Sequence, residues 1–375
     1  MNKTQTRPLM PKYRFMISGG GTGGHIFPAV AIADKLKEMA PGSEFLFVGA
    51  SNRMEMERVP QAGYKITGLW ISGIQRKLSL SNLLFPFKLL SSLAKCRRLI
   101  SKFKPHAVIG TGGFASGPLL YVASGKGLPC LIQEQNSYPG ITNKLLSKRV
   151  RQIAVAYDHM ERFFPAEKII LTGNPIRENL KHIGENRVAS LQKFKLNSKR
   201  QTLLILGGSL GARRINELIA DNLKTLLSLN INLLWQTGKL YHKELEEKFG
   251  SRQSDQLQLM PFIQNMNDAF AADLVISRAG AGTISELAVA RKAVMLIPSP
   301  NVAEDHQTKN AAALTHKGAA VLFGESGTDE KFVESVEKLI TDQKQLEQNI
   351  GNFAKPDAAD EIAREVLKML EEDDA

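Results

Sequence analysis

The feature that most constrains this chain is a unit that occurs four times, a short apolar run that breaks into a glycine-rich loop. Runs at residues 15–17, 107–109, 203–206 and 274–277 lead into Gly19-Gly20-Gly21-Thr22-Gly23-Gly24-His25, Gly110-Thr111-Gly112-Gly113-Phe114, Gly207-Gly208-Ser209-Leu210-Gly211-Ala212 and Arg278-Ala279-Gly280-Ala281-Gly282-Thr283. Short runs without polar alternation suit strands buried on both faces, which means parallel sheets. Further runs at 45–48, 130–132, 233–236 and 294–297 have the same character. Between runs the apolar residues recur at helical spacing. Ala29, Ile32, Ala33, Leu36 and Ala40 share one face, with Pro28 expected near the helix start, where a missing N–H costs nothing. The alternation predicts an α/β chain of two Rossmann-like, doubly wound parallel-sheet domains facing a cleft.

The turn-forming Gly173-Asn174-Pro175-Ile176-Arg177 and the polar stretch that follows it, up to Arg200, mark the hinge. We therefore expect domains over 1–177 and 178–356. A last helix, from about Ala358 after the break at Lys355-Pro356, is expected to return to the first domain with residues 357–375. A length of 375 residues suits two such domains. Cys96 and Cys130 are the only cysteines, which excludes a disulfide framework and any C-x-x-C metal site and fits a reducing cytoplasm. The formal charge of +12 favours polyanions or anionic lipid head groups as partners. No apolar run reaches membrane-spanning length, so membrane contact is expected to be peripheral.

Glycine loops that open helices let the backbone approach a phosphate and present free N–H groups to it. Four loops exceed the needs of one cofactor and suggest two phosphate-bearing ligands, one per domain, although each loop could also be a plain tight turn. Gly19, Gly21 and Gly24 fit a G-x-G-x-x-G spacing, which keeps a dinucleotide site as an alternative. That site wants an acid at the end of the second strand, where the chain reads Val48-Gly49-Ala50-Ser51-Asn52-Arg53, so only a minor NADP reading through Arg53 survives. A helix opening at Ile284-Ser285-Glu286 would aim its N-terminus at a diphosphate and leave Glu286 for ribose hydroxyls. The alternative is an acid that merely complements the helix dipole.

Together with Glu134-Gln135-Asn136, Gly140, Thr142-Asn143-Lys144 and Asp305-His306-Gln307 with Asn310-Ala311, these motifs run through nearly the whole chain. In that order the chain resembles the GT-B glycosyltransferases, and within them the MurG-type enzymes. The resemblance implies inverting transfer of N-acetylglucosamine from UDP-N-acetylglucosamine (UDP-GlcNAc) to the muramoyl 4-hydroxyl of undecaprenyl-pyrophosphoryl-N-acetylmuramoyl-pentapeptide (lipid I). The product, lipid II, serves peptidoglycan synthesis at the cytoplasmic face of the bacterial inner membrane. Cell-wall synthesis and division proteins are candidate partners, and nucleic acid is not. By resemblance, the acceptor pyrophosphate rests on Thr22, Gly23, Gly24, His25, Thr111, Gly112 and Gly113. The donor rests on Ser209, Ala281, Gly282, Thr283, Ile284 and Ser285, with the Ile263 backbone at uracil, Glu286 at ribose and Gln307 at the sugar. Thr22, Gly23, Gly24, Asn136 and Arg177 would approach it from the first domain and the hinge. Leu210 departs from the family pattern, as does the wording of 279–284 and 301–305. Rival readings are another GT-B glycolipid transferase, a UDP-sugar epimerase, and a binding module without catalysis.

Sugar transfer needs a base on the acceptor hydroxyl and stabilisation of the departing UDP. His25 is the candidate base, set against a phosphate-binding role for the same residue, with Glu134 and Asp158 as unranked rivals. No Asp-x-Asp metal motif stands in a plausible site and Asp373-Asp374 reads as a frayed tail. No metal ligand is assigned and no cofactor is required, while a stimulatory divalent cation stays open. Residues 74–104 set Leu78, Leu83, Leu84, Phe85, Phe87, Leu89 and Leu90 among Arg76, Lys77, Lys88, Lys95, Arg97 and Arg98. Such a segment is expected to dock on an anionic membrane surface, the alternative being an amphipathic core helix.

Overall fold

The computed structural model describes residues 13–73, 83–176, 180 and 186–374. The chain divides into two compact units, Met1–Ile176 with Asp357–Ala375, and Arg177–Pro356. The first holds seven strands, β1 (Arg14–Gly19), β2 (Glu44–Ala50), β3 (Ile66–Leu69), β4 (Ala107–Gly112), β5 (Cys130–Glu134), β6 (Gln152–Val155) and β7 (Ile169–Leu171). They are all parallel, in the order β3-β2-β1-β4-β5-β6-β7. The second holds six, β8 (Thr202–Leu206), β9 (Asn232–Gln236), β10 (Leu257–Met260), β11 (Leu274–Ser277), β12 (Ala293–Leu296) and β13 (Val321–Leu322). These too are parallel, in the order β10-β9-β8-β11-β12-β13. Every residue of β4, β5, β8, β9, β11 and β12 is buried, the physical reason these strands read as continuous apolar runs.

In each sheet the strand order turns back once, between β1 and β4 and between β8 and β11. Connections on either side of such a switch point leave for opposite faces, so a crevice opens beyond the carboxyl ends of the two strands. The four glycine loops follow those four strands and no others. This is where an α/β sheet binds ligands.

Helix α1 (Gly23–Met39) buries Ile26, Pro28, Ala29, Ile32, Ala33 and Leu36. It begins inside the glycine loop, which places Pro28 beyond the first turn instead of at the start. Its ring therefore leaves the Gly24 carbonyl without the usual helical donor. Four further helices bear on the first unit's site, α2 (Glu55–Gln61), α3 (Phe85–Phe103), α4 (Ser116–Gly125) and α5 (Ile141–Leu146). In the second unit the relevant helices are α6 (Ala281–Val289) and α7 (His306–Thr315). The last helix, α8 (Ala358–Asp374), packs on α1. Ile362, Ala363, Val366 and Met369 complete a core with Phe15, Ile17, Ile32 and Leu36. In the acidic tail Asp373 pairs with Arg151, and at the other end of the helix Asp360 lies 3.6 Å from Lys35.

Candidate active site

In the first unit the loop after β1 is held from both sides. The Gly20 N–H donates to the Gly112 carbonyl (3.3 Å), and the Gly21 N–H donates to Glu55 Oε2 (2.9 Å). The other oxygen of Glu55 accepts from the Ala50 N–H at 2.9 Å. Glu55 opens α2 and is 0% exposed. A Cβ on Gly20 would stand 2.2 Å from Glu55 Oε1, and one on Gly49 2.5 Å from Glu55 Cγ. Those two glycines make room for a buried carboxylate. This acid stands two residues beyond the 48–53 stretch and opens the next helix.

His25 Nδ1 lies 2.8 Å from the Gly20 carbonyl oxygen. A carbonyl only accepts, so the bond assigns the proton to Nδ1 and leaves the Nε2 lone pair available. The His25 and Ile26 N–H groups turn back to the Thr22 carbonyl at 3.1 and 3.2 Å. Among the described residues nothing accepts from the Gly23 and Gly24 N–H groups. The anion-accepting part of the loop therefore narrows to residues 22–24, with the imidazole beside it.

The β4 loop departs from expectation. Thr111 is 0% exposed and its hydroxyl donates to the His25 carbonyl at 2.7 Å, so it underpins the loop and offers no side chain to a phosphate. Gly112 and Gly113 have positive φ (+104° and +90°). Added Cβ atoms there would stand 2.9 Å from the His25 ring and 2.5 Å from the Gly20 oxygen. Ser116 donates to the Ser18 and Gly112 carbonyls (3.0 and 2.9 Å), a brace the sequence did not reveal.

Glu134, a rival for the base, is buried and accepts four hydrogen bonds. Asn136 supplies two through N–H and Nδ2 (3.0 and 3.2 Å), Gly140 N–H a third (3.2 Å) and Asn143 Nδ2 the fourth (2.8 Å). A carboxylate with both oxygens so engaged organises its own loop. Asp158 is exposed. Asn174 Nδ2 donates to the Gln135 carbonyl at 3.1 Å and its Oδ1 accepts from Gln133 at 2.9 Å, so the 134–136 and 173–176 motifs interlock. Arg177 lies outside the described residues. Cys96 and Cys130 are free and buried, and burial pushes both thiols up to about 12, which removes them as nucleophiles.

In the second unit Gly280 caps α6 and its carbonyl accepts from the Ile284 N–H at 2.9 Å. Among the described residues nothing accepts from the N–H groups of Ala281, Gly282 and Thr283. Thr283, Ser285 and Glu286 are half-buried on the opening turns, with Ser285 Oγ donating back to the Ala281 carbonyl at 3.1 Å. The Ile284 side chain is buried and its N–H is engaged. Ser209 is exposed in the β8 loop.

The Ile263 N–H donates to Gln236 Oε1 at 2.9 Å, so of its two backbone groups the carbonyl is the one left open. Buried Gln236 also donates to the Gly208 carbonyl (3.2 Å) and so couples two loops, a role invisible in the sequence. Gln307 Oε1 accepts from the Ser299 N–H at 2.9 Å, leaving its amide N–H groups to serve a ligand. Helix α7 is entered through Glu304 and Asp305, both left-handed (φ +56° and +52°). Backbone strain of this kind, about 1–3 kcal/mol per residue, gathers where a turn is set for a ligand. Among the described residues no three His, Cys, Asp or Glu side chains cluster as metal ligands.

Helix α3 divides the proposed membrane segment. Phe85 and Leu89 pack against the core of the first unit, which corrects the assignment of Phe85 to a membrane face. Leu83 (69% exposed), Phe87 and Leu90 (64% each) face outward with Leu84. Lys88 Nζ donates to Ser72 Oγ at 2.9 Å and stands 5.9 Å from the Trp70 ring, itself half exposed. Further along the exposed side come Lys95, Arg97 and Arg98. Leu78 lies outside the described residues. No described helix is long and apolar enough to cross a membrane.

Residues 15–155 match the glycosyltransferase family 28 N-terminal domain, and residues 202–363 match the glycosyltransferase family 28 C-terminal domain. A Flavobacterium psychrophilum protein named UDP-N-acetylglucosamine–N-acetylmuramyl-(pentapeptide) pyrophosphoryl-undecaprenol N-acetylglucosamine transferase is 53% identical over 366 residues, 96% of this chain and 99% of that one. A protein of the same name from Cytophaga hutchinsonii is 50% identical over 98% of this chain and 99% of its own length. The crystal structure of Acinetobacter baumannii MurG superposes with a TM-score of 0.78 at 29% identity, covering 96% of this chain and all of that one. A UDP-N-acetylglucosamine 2-epimerase reaches a TM-score of 0.61 at 13% identity over 96% of this chain and 97% of its own, a likeness of fold alone. Two GT-B sheets with glycine loops at both switch points, and full-length identity of half the residues, say the same thing: this chain belongs to the glycosyltransferase family 28 enzymes of the MurG type.

Proposed function

We propose that this chain transfers N-acetylglucosamine from UDP-GlcNAc to the muramoyl 4-hydroxyl of lipid I, forming lipid II with inversion at the sugar. The observation that carries the chemistry is the state of His25. Its Nδ1–H is held by the Gly20 carbonyl, its Nε2 is left as a lone pair, and the unengaged Gly23 and Gly24 N–H groups lie beside it. An acceptor pyrophosphate on residues 22–24 would bring the sugar hydroxyl within reach of Nε2, which takes the proton as the glycosidic bond breaks. The departing UDP gains negative charge on its β-phosphate. The unengaged N–H groups of Ala281, Gly282 and Thr283, with the positive end of α6, supply fixed dipoles for that charge. Glu286 accepts from the ribose hydroxyls, the Ile263 carbonyl accepts from uracil, and the Gln307 amide donates to the transferred sugar.

A lipid-anchored acceptor requires the enzyme to work at a bilayer surface, and we assign that contact to the outer face of α3. Phe87 and Leu90, at i and i+3, stand on that face with Leu83 just ahead of the helix, and they lead into Arg97 and Arg98 on the exposed side. Each large apolar side chain transferred from water contributes about 1.5–3 kcal/mol and each near-surface cation about 1 kcal/mol on an anionic membrane. The surface it meets is the cytoplasmic face of the bacterial inner membrane. In vesicle flotation, Phe87→Ser with Leu90→Ser releases the protein from anionic vesicles; equal retention of wild type and variant on neutral and anionic vesicles would remove the assignment.

The reaction is tested with the purified full chain, radiolabelled UDP-GlcNAc and lipid I in anionic vesicles. The expected product is a labelled lipid-linked disaccharide that forms only when lipid I is present. Epimerisation of UDP-GlcNAc without acceptor, or no disaccharide with both substrates present, would overturn the proposal.

A further inference from the structure

Glu55 takes no part in binding or proton transfer as described, yet it is a fully buried carboxylate beneath the loop that carries His25. A single peptide group connects them. The Gly20 carbonyl accepts from His25 Nδ1–H at 2.8 Å, and the N–H of that same peptide, on Gly21, donates to Glu55 Oε2 at 2.9 Å. The Ala50 N–H holds the other carboxylate oxygen at 2.9 Å and fixes its rotation. Both carboxylate oxygens thus accept from backbone N–H donors.

An amide whose N–H is held by an anion carries more negative charge on its oxygen, because hydrogen bonds in a chain polarise one another. The Gly20 oxygen is thereby a stronger acceptor for Nδ1–H, and the positive charge that reaches the imidazole when Nε2 takes a proton is stabilised through it. Surrounding glycines are what this arrangement demands. Gly21 has φ +85°, Gly20 leaves room for the carboxylate, Gly113 for the Gly20 oxygen and Gly112 for the imidazole.

We infer that Glu55 is a positioning residue that orients and polarises His25 through the Gly20–Gly21 peptide. No proton travels along this relay; the peptide keeps its N–H throughout. The inference rests on the reading of His25 as the base.

Its test uses the full chain with Glu55→Gln and Glu55→Asp, nitrogen NMR of isotope-labelled histidine, and turnover of UDP-GlcNAc with lipid I. The His25 ring signals are identified by their loss in His25→Ala. Wild type is expected to show the Nδ1–H tautomer in the neutral ring. Glu55→Gln keeps the shape but turns an NH2 toward one of the two N–H groups. It is expected to mix the tautomers and lower kcat about tenfold or more, with KM for UDP-GlcNAc within about twofold. Glu55→Asp, which keeps the charge, falls between. Wild-type tautomer and wild-type kcat in Glu55→Gln would overturn the relay. Should that variant fold poorly by circular dichroism, the wild-type ring decides, since an Nε2–H tautomer there overturns the relay by itself. Retained turnover in His25→Ala would instead fail the base reading, while the ring spectra still report whether Glu55 acts on the imidazole.

Discussion

The loops after β4 and β11 hold equivalent places in their sheets, each following the second strand of a switch point, and both are rich in glycine. Their glycines answer to different demands. At Gly112 and Gly113 the backbone is left-handed and an added Cβ would strike the His25 ring or the Gly20 oxygen. At Gly282 an added Cβ meets nothing within 4 Å, and at Gly280 only the Thr283 hydroxyl at 3.8 Å. The first loop is glycine-rich because the protein fills the space itself, with a carbonyl and an imidazole. The second leaves its space and its N–H groups to something else. Glycine density alone therefore does not locate a phosphate; what matters is whether the N–H groups and the volume are already taken.

The largest effect that separates the two loops is expected from His25→Ala, which removes the proton acceptor that the first loop was built around. It lowers kcat by about 10²–10⁴ while UDP-GlcNAc affinity by calorimetry is unchanged. A matching loss of donor affinity would place His25 with the nucleotide and blur the division of labour. Gly113→Ala comes next, with a Cβ 2.5 Å from a backbone oxygen at φ +90°. It should destabilise the protein by about 2–4 kcal/mol in urea unfolding. A neutral result would show that the loops relax freely.

Glu286→Ala acts on the other loop and is expected to weaken UDP-GlcNAc binding about tenfold or more without lowering thermal stability. Unaltered affinity would leave Glu286 as a dipole-complementing acid only. Gly282→Ala has the smallest effect on folding. Alanine is favoured over glycine in a helix by about 1 kcal/mol, so the melting temperature should hold or rise slightly while donor affinity falls. Intact affinity in that variant would erase the contrast between the loops.

Much of this architecture is legible locally. The runs at 15–17, 107–109, 203–206 and 274–277 are the central strands, and the spacing of Ala29, Ile32, Ala33 and Leu36 is the buried face of α1. The C-terminal segment from Ala358 does return to the first unit. The amphipathic stretch 74–104 was harder, because an apolar residue at helical spacing can face either the core or the solvent. Leu89 and Phe85 turned inward while Phe87 and Leu90 turned outward, which depends on how far the helix is rotated against its sheet.

What the sequence by itself determined is the pair of parallel α/β sheets and the four places where their strands break into loops, since periodicity and glycine punctuation act over a few residues. Only the tertiary structure decided which groups in those loops are occupied. Glu55 reaches Gly21 across 34 residues, Thr111 reaches the His25 carbonyl across 86, and Gln236 takes the Ile263 N–H across 27. A hydrogen bond forms over about 3 Å in space and carries no mark of its partner in the chain, so donors left for a ligand become visible only after the protein has taken its own.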